Sequence, residues 1–176
     1  MKTLSTIALT VAVVALLLPG AQANLLLNGD FNTVSDVLTN GVPNGAVTAD
    51  NWEAWSWGNG WANTEIAGWG SPGGTYHTAV GAAGGGGGGH FQIVPAAGGL
   101  EYQLTVDSGA DTWWLPTGTM IMFFQDFLGN ELGQVSRNTV DPAVYGEDQY
   151  DIPHPWETYV LTGIAPAGTA QIKVEL

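Results

Sequence analysis

Glu101-Tyr102-Gln103-Leu104-Thr105-Val106-Asp107 alternates polar and apolar side chains without a break. A two-residue period sends Tyr102, Leu104 and Val106 to one side of an extended chain. Glu101, Gln103, Thr105 and Asp107 go to the other, as in a strand with one face on a core and one in water. The same period recurs at 170–176, where Ile172, Val174 and Leu176 alternate with Gln171, Lys173 and Glu175. It recurs again at 157–161, where Tyr159 and Leu161 alternate with Thr158 and Val160. Thr119 to Phe127 is almost continuously apolar through Met120, Ile121, Met122, Phe123 and Phe124, which predicts a central strand covered on both faces. Weaker strand signals lie at Leu25–Phe31, Trp52–Trp57, Tyr76–Val80 and His90–Val94. No stretch beyond residue 23 carries a helical period. The 26 Gly and 9 Pro divide the chain into short pieces. Many short strands with turn residues between them predict an all-β, antiparallel sandwich or barrel.

Two segments read as loops. The six residues Gly84 to Gly89 carry the largest ordering entropy of any residue type, so they are expected to join two strands flexibly. They match G-x-G-x-x-G only trivially, because no strand–helix context surrounds them and no Lys follows. Asn138 to Pro155 is long and acidic and is stiffened by Pro142, Pro153 and Pro155. Long loops in compact domains often carry function.

The first 23 residues read as a secretory signal peptide: Lys2, an apolar run from Leu4 to Leu18, Pro19-Gly20, and the cleavage motif Ala21-Gln22-Ala23. The expected organisation is therefore residues 1–23 as signal and 24–176 as one domain, exported to the extracellular space or cell envelope. The apolar run is too short for a membrane anchor, so no membrane insertion is expected after cleavage. Beyond residue 23 only Arg137 and Lys173 are basic, against sixteen acids, and the whole chain carries a net charge of −13. That field repels phosphate backbones and excludes nucleic acid as a partner. It is compatible with neutral polysaccharide and with calcium. There is no Cys, so neither disulfides nor thiol chemistry contribute.

Asn24-Leu25-Leu26-Leu27-Asn28-Gly29-Asp30-Phe31 resembles the opening of carbohydrate-binding modules of the CenC type, the group that spans module families 4, 9, 16 and 22. The order of the following pieces is similar to theirs. A Trp-rich segment comes next, then His90-Phe91-Gln92-Ile93-Val94-Pro95 and Tyr102-Gln103-Leu104-Thr105-Val106. Phe127-Leu128-Gly129-Asn130-Glu131-Leu132-Gly133 looks like the hairpin turn. Trp156-Glu157-Thr158-Tyr159-Val160-Leu161-Thr162 and Ala165-Pro166-Ala167-Gly168-Thr169-Ala170 look like the late strand and its turn. The resemblance implies a galactose-binding-like jelly roll. The sequence departs from the pattern twice. Asn32 stands where the family has Glu, and the sequence ends at Leu176, before the family's closing strand with its Asp-Asp pair. Either the chain is a fragment or the domain lacks its last strand. In the family those two features hold a structural calcium ion, which leaves Ca2+ open here. The same opening occurs in exported bacterial proteins without a known ligand.

Eight Trp exceed what one core of this size needs, and Trp52, Trp55, Trp57, Trp61 and Trp69 crowd into one stretch. Surplus indoles present flat apolar faces, the chemistry that stacks on the C–H face of a sugar ring. Trp55 and Trp57 share a face if extended, with Trp52 opposite. Trp61 and Trp69 read as Gly-flanked loop residues with little to pack against, which makes them the stronger ligand candidates. Of the adjacent pair Trp113-Trp114 only one can face inward, so Trp114 joins the set. Gln125, with Asp126, Glu53 and Gln92, could fix hydroxyls. For each of these residues core filling or an ordinary solvent-facing position is the competing reading. Asp141, Glu147, Asp148 and Asp151 share one loop and could supply oxygens to Ca2+, with solvated acids as the alternative. His77, His90 and His154 lack metal-ligand spacing.

No nucleophile motif and no carboxylate pair stands out, so catalysis is not expected. The sequence reads as an exported, non-catalytic jelly-roll module that binds polysaccharide through exposed Trp, with a catalytic domain expected elsewhere in a longer gene product. The alternative is a structural or adhesive envelope protein of the same fold without a sugar site.

Overall fold

The computed structural model describes residues 24–31, 33, 49–66, 76–110, 117–140 and 154–176. For residues 61, 63–66, 76–79, 81–84, 110, 140, 154 and 155 it describes only the backbone. Within these residues the chain is all-β and antiparallel, with strands β1 (Glu53–Ile66), β2 (Tyr76–Pro95), β3 (Glu101–Ala110), β4 (Gly118–Gln125), β5 (Glu131–Val140), β6 (His154–Ile164) and β7 (Gln171–Glu175). One sheet has the order β1-β2-β7-β4-β5, and β3 and β6 form the second. The chain crosses between the sheets after β2, β3, β5 and β6, which winds it as a jelly-roll sandwich. β7 has neighbours on both sides, so among the described residues the edges of the larger sheet are β1 and β5.

The alternation seen in the sequence sets the core. Leu104 on β3 and Leu161 on β6 face Met120, Met122 and Phe124 on β4 and Ile172 and Val174 on β7, and all seven are buried. Tyr102, Val106, Val135 and Tyr159 pack around them. Gly163 on β6 leaves room for Phe124, whose Cζ lies 3.0 Å from where a Cβ at 163 would sit. β4 is interior, as its apolar run predicts, but its second face is only half covered: Ile121 and Phe123 are partly exposed. Arg137 at the β5 edge ties the sheets together, donating from Nη1 to Val160 O at 2.7 Å with its guanidinium 5.3 Å from the centre of the Tyr159 ring.

Leu25–Phe31, expected as a strand, is instead an extended entry followed by a turn over 27–30. It docks through a side chain. Gln92 is buried and faces inward, contrary to its reading as an outward polar residue. The Leu27 N–H donates to Gln92 Oε1 at 2.8 Å, and Gln92 Nε2 donates to Leu27 O at 2.9 Å and Asn51 O at 2.8 Å. One amide thereby satisfies three main-chain groups, which removes the cost of burying it. Asn28, at φ 51°, anchors the turn: its Nδ2 donates to Thr33 O and Asp50 O, and its carbonyl accepts from Trp52 Nε1 at 3.0 Å. Trp52 is buried against Phe31, ring centres 4.8 Å apart, and faces away from Trp55 and Trp57 as its spacing predicts.

The expected hairpin turn lies at Asp126–Asn130, with β5 starting at Glu131. The Asp126 carboxylate accepts from Leu128 N, Asn130 N and Asn130 Nδ2 at 2.8–2.9 Å, and Gly129 takes φ 86°. The hydrogen bonds from Asn130, side chain first, hold the Asp126 pKa below its ordinary value of 3.8. A carboxyl with a depressed folded pKa adds stability that is present above the ordinary value and is lost as pH falls through the folded one. The protection of the Leu128 and Asn130 amides, taken relative to intrinsic exchange at each pH, is therefore expected to fall as pH drops below the ordinary carboxylate range, and Asp126→Asn should abolish that dependence. The Ala165–Ala170 turn also forms where expected, with Thr169 Oγ1 donating to Pro166 O at 2.8 Å.

Candidate functional site

The larger sheet has one face on the core and one in solvent, and the register names the residues on the second. Glu53, Phe91, Glu175, Ile121 and Ser136 lie in one lateral row. Ile93, Lys173, Phe123 and Gln134 form the next. Trp55 opposite Gly89 and Trp57 opposite Gly87 extend the same face toward the β1 edge.

The glycines decide this arrangement. Gly84–Gly89 is not a loop: the run lies inside β2, with Trp55, Ser56, Trp57 and Gly58 paired to Gly89, Gly88, Gly87 and Gly86. A Cβ at Gly87 would lie 2.7 Å from Trp57 Nε1, and one at Gly89 would lie 2.8 Å from Trp55 Nε1 and Cε2. The space that side chains would fill is occupied by the two indoles, which lie down across the neighbouring strand. Contact with large aromatic surfaces offsets the entropy that argues against Gly in a strand, a pairing also used where aromatics cover strand glycines. The ladder shifts register between Gly58 and Gly60, and Gly58 and Gly85 there adopt φ 60° and 98°, which L side chains rarely reach.

Trp57 is 61% exposed and Trp55 is half-buried. Two residues apart on one strand, they stand about 6.7 Å apart along it. Trp55 Nε1 is covered and has no acceptor among the described residues. Phe91 follows in the next row, and Lys173 bridges the face. Its Nζ is 2.6 Å from Glu175 Oε2, 4.6 Å from the Phe91 ring centre and 5.4 Å from that of Phe123. The result is a solvent-facing aromatic surface of Trp57, Trp55, Phe91 and Phe123, edged by Glu53.

The other expected site residues fall out differently. Trp61, read as a loop residue, has its backbone in β1 opposite Gly81; its side chain is outside the described residues. Trp69 and Trp114 lie outside them, as do Asp141, Glu147, Asp148 and Asp151. The loop expected over 138–155 is corrected at both ends, because β5 runs to Val140 and β6 starts at His154; residues 141–153 lie outside the described residues. Among the described residues no cluster of three or more His, Cys, Asp or Glu could hold a metal ion. Gln125 lies on the outer face at the far end of β4, accepting from Gln171 Nε2 at 3.1 Å, away from the Trp pair. Sequence reading missed Phe91, Phe123 and Lys173. The signal for Phe91 was the alternation of 90–94 read with an inward Gln92; that for Lys173 was the alternation of 170–176; the continuous apolar run around Phe123 gave none.

No family model matches the sequence, and no curated protein matches it. Among solved structures, the chain is similar to the crystal structure of the enzymatically active domain of tailspike protein 4 from bacteriophage CBA120. The TM-score is 0.58 at 16% identity, and the match covers 86% of this chain but only 18% of that one. At this identity the likeness shows the fold alone, an all-β architecture.

Proposed function

We propose that this chain is an exported, non-catalytic polysaccharide-binding module whose ligand lies across the outer face of the larger sheet. The observation that carries the reading is the pair Trp55 and Trp57, held outward on a floor of Gly87 and Gly89. Packing economy does not require an indole 61% exposed on a six-glycine strand. Stacking of a sugar ring on it does. One buried indole face contributes on the order of 2–3 kcal/mol before ordering costs, so two give affinity in the micromolar range or weaker. The resemblance to CenC-type modules supports the same reading, as does the signal peptide.

Affinity gel electrophoresis against β-glucan, xylan and mannan tests the proposal. The wild-type chain is expected to be retarded by at least one gel, and the double variant Trp55→Ala, Trp57→Ala to lose that retardation while keeping its circular dichroism spectrum. Trp55→Phe keeps a smaller aromatic face and removes an N–H that has no acceptor among the described residues, so it should retain more of the binding than Trp55→Ala. Unchanged migration on every gel would remove the glycan reading. Release of reducing ends by the purified protein would replace it with an enzymatic one.

One observation favours a second reading. The turns at 96–100, 126–130 and 165–170 meet at one end of the sandwich, through Ala165 N to Leu100 O, Gly99 N to Ala165 O and Ala170 N to Gln125 O. Phe127 and Leu128 there are 78% and 72% exposed, with Leu100 and Ile164 beside them. An apolar tip of this kind suits an adhesive or structural envelope protein.

A further inference from the structure

We propose that the Trp55–Trp57 surface selects by charge, rejecting acidic glycans and binding most tightly to polysaccharides that carry free, protonated amino groups. This rests on the glycan-binding reading above and adds the ligand class.

The argument starts from scarcity. Beyond residue 23 the chain has two basic side chains, and the fold uses both internally. Arg137 is spent on Val160 O and the Tyr159 ring. Lys173, the cation on the candidate face, is clamped by Glu175 at 2.6 Å between Phe91 and Phe123, its side chain only 26% exposed. Neither is available to a uronate or sulfate. A stacked acidic sugar would meet no cation among the described residues and the field of a chain with net charge −13.

The opposite holds for an amine. Glu53 is exposed, lies two residues before Trp55 on the same face and stands opposite Phe91. Among the described residues it has no cationic partner; the ion pair on this face joins Lys173 to Glu175. A pyranose stacked on Trp55 would place its ring substituents within about 7 Å of the Glu53 strand position. A protonated amino group there gains a charge-assisted contact beside an apolar surface, and the neighbouring indole faces attract the same cation. A neutral sugar keeps the stacking but gains neither.

The test compares three soluble polymers in affinity gels at about pH 6 and low salt: a β-1,4-glucosamine polymer, a neutral β-1,4-glucan and polygalacturonate. Wild type should be retarded most by the amine polymer, less by the glucan and not by polygalacturonate. Glu53→Gln should weaken retardation by the amine polymer up to about five-fold, the range of an exposed ion pair, and weaken that by the glucan by clearly less, because Gln keeps a hydroxyl partner and loses only the charge. Trp55→Ala with Trp57→Ala should abolish both. Retention of that double variant by the amine polymer would show bulk attraction between an acidic protein and a polycation, and would overturn the proposal. So would equal retardation by all three polymers, or an amine-polymer affinity indifferent to Glu53→Gln. Absence of retardation by all three would instead remove the glycan reading on which the proposal stands.

Discussion

Phe124→Ala is expected to destabilise the domain by about 3–5 kcal/mol, seen as a large fall in the denaturant midpoint. Phe124 is 2% exposed on the interior strand β4, among Met122, Ile172 and Val174, and reaches across to the gap left by Gly163 on β6. Its ring, with Val135 beside it, is therefore one of the contacts between the two sheets. Only two strands of the smaller sheet cover the core among the described residues, so little else can collapse into the hole. Domains of this size are stable by about 5–15 kcal/mol, and a loss of this order consumes a fifth or more of that. A loss below about 1 kcal/mol would mean that the sheets do not close on Phe124.

The second large effect concerns the glycine strand and has an internal control. A Cβ at Gly86 would meet main-chain atoms only: Gly60 N, Asn59 N at 2.7 Å and Trp57 O at 2.8 Å. Backbone cannot swing aside, so Gly86→Ala must part β1 from β2 at the register shift. The expected cost is about 1–3 kcal/mol, with loss of the β1 edge before the rest of the sandwich. A Cβ at Gly87 meets the Trp57 indole instead, and a side chain can rotate. Gly87→Ala is expected to leave the midpoint within about 0.5 kcal/mol while shifting Trp fluorescence and weakening glycan retention. Equal midpoints for the two variants would show that the run is not paired to β1 as described.

These two positions mark the limit of what could be read from the residues alone. Alternation placed Leu104, Leu161, Ile172 and Val174 inside without any partner being known, because one-sided burial leaves a local trace. The turns at Asp126–Asn130 and Ala165–Ala170 were legible for the same reason: their chemistry is contained in a few adjacent residues. Gly84–Gly89 was not. The penalty for six glycines is local, but the contact that offsets it comes from Trp55 and Trp57, about thirty positions earlier. Gln92 was misread because its three hydrogen-bond partners sit on Leu27 and Asn51, and a polar side chain with remote partners looks outward from sequence. Of the candidate site, the shared face of Trp55 and Trp57 was legible from their spacing. That Trp61 lies in β1 was not, because Trp61 has a glycine beside it in a strand as well as in a loop.

The most direct measurement is a nuclear Overhauser spectrum of the protein with a retained oligosaccharide. Contacts are predicted from the Trp57 indole to the Gly87 Hα protons, from the Trp55 indole to those of Gly89, and from sugar ring C–H protons to the exposed face of Trp57. Glycine signals at random-coil positions with no indole contacts, or sugar contacts confined to other residues, would contradict the account.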